Sequence, residues 1–174
     1  FTLTALNSAG ATTANYTGSF AKLDLTALAS WNLRGIDGST VFAVANGRLA
    51  LASASGSWVN GVAANTAITA AAPRAAAPEA PFTIQLGIAP VDSDGVAMAS
   101  FNLATAPPAA ADRGLVGSAG TRYGRLRLSN SFGSEKASLQ MPVQAQYWSG
   151  NAWVQNSADS CSSVPSGAVV RASY

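Results

Sequence analysis

An all-β, antiparallel, immunoglobulin-like β-sandwich is the fold class this chain predicts, on three observations. Apolar and polar residues alternate at period two in short runs. Polar turns rich in Gly, Asn and Ser separate those runs at the close spacing of a sandwich. No stretch keeps the 3.6-residue apolar period of a helix, although Ala fills 37 of the 174 positions.

Taken in order, FTLTALN (1–7) alternates Phe1, Leu3 and Ala5 against Thr2 and Thr4 and reads as a strand. SFAKLDLTAL (19–28) places Phe20, Leu23 and Leu25 in an extended run ending near Trp31. STVFAVANGRLALAS (39–53) carries Asn46-Gly47 between two apolar runs, a strong hairpin cue. AITAAAPRAAAPEAP (67–81) is rich in the best helix former, but Pro73, Pro78 and Pro81 interrupt it, which predicts an extended connection. FTIQLGIAPV (82–91) sets Phe82, Ile84, Leu86 and Ile88 on one face, and VAMASFNL (96–103) reads as its returning strand.

Residues 104–120 are Pro-, Ala- and Gly-rich without period. A second strand set follows. RYGRLRLSN (122–130) alternates Arg125 and Arg127 with Leu126 and Leu128, and KASLQMPVQAQYW (136–148) sets Leu139, Met141, Val143, Ala145 and Tyr147 opposite its Gln residues. The turn SGNA (149–152) then returns the chain into WVQN. The expected organisation is an Ig-like module over 1–104, a linker or long crossing loop over 105–120, and a second β module, complete or not within this chain, over 121–174.

Composition narrows the function. Charged residues make up 10% of the chain against about 25% in an average soluble domain. The net charge of +2 is spread too thinly for the dense cationic footprint that phosphate neutralisation needs, so no nucleic-acid partner is expected. In TRYGRLRL, Leu126 and Leu128 stand where an RNA-binding sheet would carry stacking aromatics, so Arg125 and Arg127 read as a solvated strand face. Histidine is absent, which removes Ser-His-Asp and Cys-His nucleophile pairs and His-bearing zinc sites. Eight carboxylates remain, and no spacing singles out a glycosidase pair. The expectation is a protein that is not an enzyme, with no catalytic residues. No segment approaches the roughly 18 apolar residues of a membrane span. A signal peptide is not visible, as in any mature or excised fragment.

Four features carry candidate chemistry. APVDSDGVAM (89–98) holds Asp92 and Asp94 ahead of Gly95. Aligned on the EF-hand glycine, Pro90 falls at the first ligand position and Phe101 at the twelfth, so that loop is excluded. A type I′ hairpin turn capped by the Asp92 side chain is the leading reading, and a looser calcium site at Asp92 and Asp94 is the alternative; no other cofactor is expected. Trp31, Trp58, Trp148 and Trp153 are core or hairpin packing, or, if exposed, a sugar-stacking platform, for which Trp148 and Trp153 are the candidates. These two flank a short turn and are placed to stack across it. Cys161 stands alone, as a free thiol in a loop or as half of a disulfide whose partner lies outside the chain. Asn15-Tyr16-Thr17 has the glycosylation pattern, meaningful only in a host that glycosylates.

TRYGRLRLSNSFGSE (121–135), followed by VQAQYWSGNAWVQNSADSC (143–161), resembles the C-terminal region of MshQ-like proteins, with TTANYTGSFAKL (12–23), SWVNGV (57–62) and PFTIQLGIAPVDSDGV (81–96) in the same order upstream. Those proteins are linked to biogenesis of the mannose-sensitive haemagglutinin (MSHA) type IV pilus. The resemblance implies a slice of a longer, exported bacterial surface protein that passes through the periplasm and works at the cell surface or pilus. Its implied partners are other pilus or cell-surface proteins and host or surface glycans. It brings no catalytic residues, and it implies that Cys161 pairs with a cysteine further downstream. The function expected is a non-catalytic structural or adhesive module, with a carbohydrate-binding, lectin-like module as the alternative.

Overall fold

A computed structural model describes residues 1–107, 109–134, 136–160, 162–165 and 167. The chain is all-β and antiparallel; among the described residues the helical elements are short 3-10 turns. It forms two compact units, Phe1–Arg74 with Phe82–Thr121, and Ala75–Pro81 with Arg122–Tyr174. Cys161 lies outside the described residues.

In the first unit, β2 (Arg34–Asp37), β3 (Thr40–Ala43), β7 (Phe82–Ile88) and β8 (Gly114–Thr121) make a four-stranded sheet in the order β3-β2-β7-β8. Two smaller ladders join β4 (Ala50–Ser55) to β6 (Ala67–Ala71) and β1 (Leu3–Thr4) to β5 (Val62–Ala63). One core lies between them. Phe42, Ile84 and Ile88 come from the large sheet, Leu51, Ala54, Ile68 and Ala70 from β4–β6, and Leu23, Leu25, Leu33 and Leu49 from the connections. Trp31 is wholly buried at 0% exposure and meets Phe1 edge to face at 5.7 Å. Phe42 and Phe82 stack at 5.1 Å, and the Arg48 guanidinium sits 4.9 Å over the Phe42 ring, placing a charge over the apolar stack.

Several expected elements take other forms. Only Leu3–Thr4 of 1–7 pairs in a strand. The 19–28 run is irregular, with 3-10 turns at Gly18–Phe20 and Leu28–Trp31. Leu23 and Leu25 are buried there without ladder partners, and Asp24 turns the chain by accepting the Thr26 N–H at 2.8 Å. Asn46-Gly47 does turn the chain, with Gly47 at φ 70°, but β3 and β4 enter different sheets. The Asn46 side chain bonds the backbone of β3 instead, accepting from Ala43 N–H and donating to Val41 C=O, both at 3.0 Å. Residues 96–103 are not a returning strand; β7 pairs with β2 and β8. The expected 105–120 linker contains most of β8, because Gly117, Ser118 and Gly120 lack the alternation that marks a strand yet can still form a ladder with β7.

In the second unit, β9 (Gly124–Leu128), β10 (Val143–Trp148) and β11 (Trp153–Gln155) form one sheet in the order β11-β10-β9. Strand structure begins at Val143, not at Lys136. Leu128 pairs with Val143, Leu126 with Ala145 and Arg125 with Gln146, so the alternation read from the sequence separates the two faces as expected. Leu126, Leu128 and Val143 stay 47%, 58% and 49% exposed on the apolar face. The 149–152 turn closes through the Ser149 hydroxyl, which donates to Ala152 C=O at 2.9 Å.

Gly61 tests how tightly the β1–β5 corner is packed. It has φ 79°, and a Cβ there would collide with the Thr13 carbonyl. Gly10 also has φ 79° but faces open space. Urea unfolding of Gly61→Ala is expected to lose about 2–4 kcal/mol, from left-handed strain plus overpacking. Gly10→Ala should lose only about 1–2 kcal/mol, from strain alone. Equal losses at the two sites would show that packing against Thr13 adds nothing.

Candidate functional site

Three side-chain clusters carry the polar chemistry of the described residues. The first joins three separated stretches at Tyr16. Its hydroxyl accepts the Leu23 N–H at 2.8 Å and donates to Asp92 Oδ2 at 3.2 Å. Its ring meets Trp58 edge to face at 4.8 Å, and Trp58 Nε1 donates to Leu23 C=O at 3.0 Å. Burial pushes the Tyr16 hydroxyl above its ordinary pKa; the Leu23 amide opposes that shift and the Asp92 carboxylate adds to it. The hydroxyl therefore keeps its proton and remains the donor to Asp92.

Asp92 also closes its own turn. Its Oδ1 accepts the N–H groups of Asp94 at 3.0 Å and Val96 at 2.8 Å, while Val91 bridges Ala97. Gly95 alone in this turn has a positive φ, 83°; Asp94 does not, so the turn is not the type I′ form expected. Both Asp92 oxygens thus have protein donors, and Asp94 is exposed beside them. Among the described residues no group of three or more Asp, Glu, Cys or His side chains is placed to share a metal ion. Thr17 of the Asn15-Tyr16-Thr17 pattern donates its hydroxyl to Trp58 C=O at 3.0 Å, a contact within the same cluster.

The second cluster went unread in the sequence. Asp112 accepts the backbone N–H of Thr105 at 2.7 Å and the hydroxyl of that fully buried residue at 2.9 Å. It also pairs with Arg113 Nη1 at 3.0 Å, with Arg34 Nη1 at 3.9 Å. Burial raises the Asp112 carboxyl's pKa, but the Thr105 bonds and the two guanidinium charges outweigh it and hold the pKa below its ordinary value. Arg113 Nε donates to Asn32 C=O at 2.9 Å, tying β8 to the turn before β2. A cleft of about 290 Å³ opens beside these groups, lined by Leu28, Leu33, Arg34, Val44, Leu51 and Arg113 among others. Neither a carboxylate nor a hydroxyl lines it. The available signal was Asp112-Arg113 itself, an adjacent charge pair in an otherwise uncharged stretch.

The third cluster lies on the polar face of the second unit's sheet. Trp148 and Trp153 are cross-strand partners whose rings meet edge to face at 5.6 Å, as their places around the turn predicted. Arg125 lies 4.0 Å over the Trp153 ring and donates to Gln146 Oε1 at 2.9–3.0 Å. Tyr123 adds a tilted contact to Trp153 at 6.0 Å. On the other face Arg122 stacks 4.6 Å over Tyr147. The motif residues of RYGRLRL and QYWSGNAW are therefore cross-strand neighbours. A sugar-stacking reading of Trp153 meets a specific obstacle, since a guanidinium already covers its ring.

These features define the class: short antiparallel sheets whose irregular connections are held by side-chain-to-backbone bonds. The sequence profile for DUF6701, third domain, matches residues 1–115, and that for DUF6701, fourth domain, matches residues 122–174. The chain belongs to the DUF6701 family. No curated protein and no solved structure matches it. None of the described helices is long and apolar enough to cross a membrane.

Two measurements test these clusters. Tyr16→Phe leaves the Leu23 N–H and one Asp92 oxygen without their partner, and is expected to lose about 1–3 kcal/mol in urea unfolding. No loss would show that water replaces the hydroxyl freely. Asp112 makes stability depend on acid. Folding lowers its pKa, so its contribution is present above the unfolded value of about 4 and is lost as pH falls through the folded value. Between pH 5 and pH 2 the wild-type urea midpoint should therefore fall further than that of Asp112→Asn. Parallel curves would refute the linkage.

Proposed function

We propose that this chain is a non-catalytic structural or adhesive part of an exported, pilus-associated bacterial surface protein of the MshQ-like kind. One observation carries the reading: the residues that bear the family resemblance serve the fold rather than a cleft. Tyr16, Trp58 and Asp92 bind one another and the backbone, and Arg122, Arg125, Tyr147, Trp148 and Trp153 bind across strands. A module selected for mechanical and packing integrity has this character. The exposed apolar face bearing Leu126, Leu128 and Val143 supports the same reading, because such faces suit packing against further protein. On this reading the partners are other pilus or cell-surface proteins, and the chain works outside the cell.

Carbohydrate binding is the second reading. It rests on the half-buried Tyr123, Trp148 and Trp153 gathered near Arg125 and Gln146, a mixture of ring edges and polar groups. With Arg125 over Trp153, a pyranose ring would have to stack on Trp148.

Antibodies raised against the chain should label intact cells of the bacterium that makes it, and the antigen should co-sediment with sheared surface fibres. Antigen found only after lysis would overturn the surface assignment. A glycan array probed with and without calcium is expected to stay blank in both. Binding abolished by Trp148→Ala would establish the carbohydrate reading, and binding that needs calcium, Asp92 and Asp94 would establish the metal site.

A further inference from the structure

We propose that the open edge of β8 pairs with the same edge in a second molecule, giving a two-fold antiparallel dimer across residues 116–121. The four-stranded sheet has two edges, β3 and β8. At β3, Asn46 occupies two outward backbone groups, taking the Ala43 N–H and the Val41 C=O, while Arg48 and Leu49 N–H take the Ala43 C=O. At the start of β8, Leu103 bridges Arg113 and the Asn102 side chain accepts the Leu115 N–H at 2.7 Å. From 116 onward, no described strand pairs with the outer side of β8. The protection on β8 thus ends where the unprotected stretch begins.

That stretch lacks the usual safeguards. Exposed edge strands ordinarily carry a charge or Pro that deters pairing. Residues 116–121 read VGSAGT, with neither. Gly117, Ser118, Ala119 and Gly120 are exposed, and a Cβ at Gly117 or Gly120 would meet nothing within 4 Å. Such bare backbone offers amide and carbonyl groups and almost no side-chain surface. A partner strand must therefore bind through its own main chain and approach to about 4.8 Å, which small residues on both sides permit.

The occupied β3 edge decides which partner. A head-to-tail contact of β8 on the β3 edge of another copy would extend without limit, but Asn46 blocks that edge. Within this sheet the contact left to two copies is β8 on β8, which is isologous and closes at two. No like charges oppose within the six residues, because none are present.

Sedimentation of the whole chain under reducing conditions, so that Cys161 forms no bridge, tests this. The mass is expected to rise from 17.5 kDa toward twice that value between about 10 µM and 1 mM, the range of a small interface. Hydrogen exchange on the unaltered protein gives a reading free of mutation. Alternate amides of 116–121 should lose protection on dilution, while those bonded to β7 keep it. Ser118→Pro and Ala119→Pro complete the test, since neighbouring N–H groups in a strand point to opposite sides. One variant should keep its melting temperature and lose the dimer; the other should be destabilised. A mass of 17.5 kDa at every concentration, protection that ignores dilution, or a dimer that survives in both variants would overturn the proposal.

Discussion

Backbone N–H groups withdrawn from water need acceptors, and short strands leave many of them outside any ladder. In this protein Asn and Asp side chains answer that need at several irregular points. Asn7 accepts from Ala9 and Ala11, Asp24 from Thr26, Asn46 from Ala43 and Arg48, Asp92 from Asp94 and Val96, Asn102 from Leu115, and Asp112 from Thr105. The connections between strands depend on these bonds, and the placing of Leu23, Leu25 and Leu49 in the core depends on the connections. Few large apolar side chains are available in a chain so rich in Ala. Holding the loops in place is therefore a condition for burying them.

The same constraint occupies two of the carboxylates. Asp92 has both oxygens engaged by its own turn and by Tyr16, and Asp112 is engaged by Thr105 and Arg113. A carboxylate that holds backbone in place cannot move to serve a substrate without loosening the loop it closes. Arginine follows a parallel logic. Arg48, Arg122 and Arg125 lie over aromatic rings, where the flat guanidinium covers apolar surface that the small side chains nearby cannot.

The sheet in the second unit has a different balance. Its polar face is knitted by Arg125, Gln146, Trp148 and Trp153, while its apolar face carries Leu126, Leu128 and Val143 largely exposed. A three-stranded sheet with one finished face and one unfinished face is suited to being a component of something larger.

Local chemistry by itself determined the all-β class, the two faces of β9 and β10, and the Trp148–Trp153 contact across its turn. Each rests on side-chain alternation or on neighbours a few residues apart, and both are properties of short sequence. Which strands pair was decided only by the tertiary structure. Asn46-Gly47 and Asp94-Gly95 mark turns truly, but a turn does not state whether its flanks will bond each other or go to separate sheets. β8 escaped notice because Gly and Ser residues carry no alternation, and its ladder is a property of the β7 backbone opposite. Tyr16 meets Asp92 across 76 positions, and Arg34 meets Asp112 across a comparable span, so neither contact leaves a local trace. Periodicity records which face of a strand is apolar; long-range hydrogen bonding, invisible to it, chooses the partner.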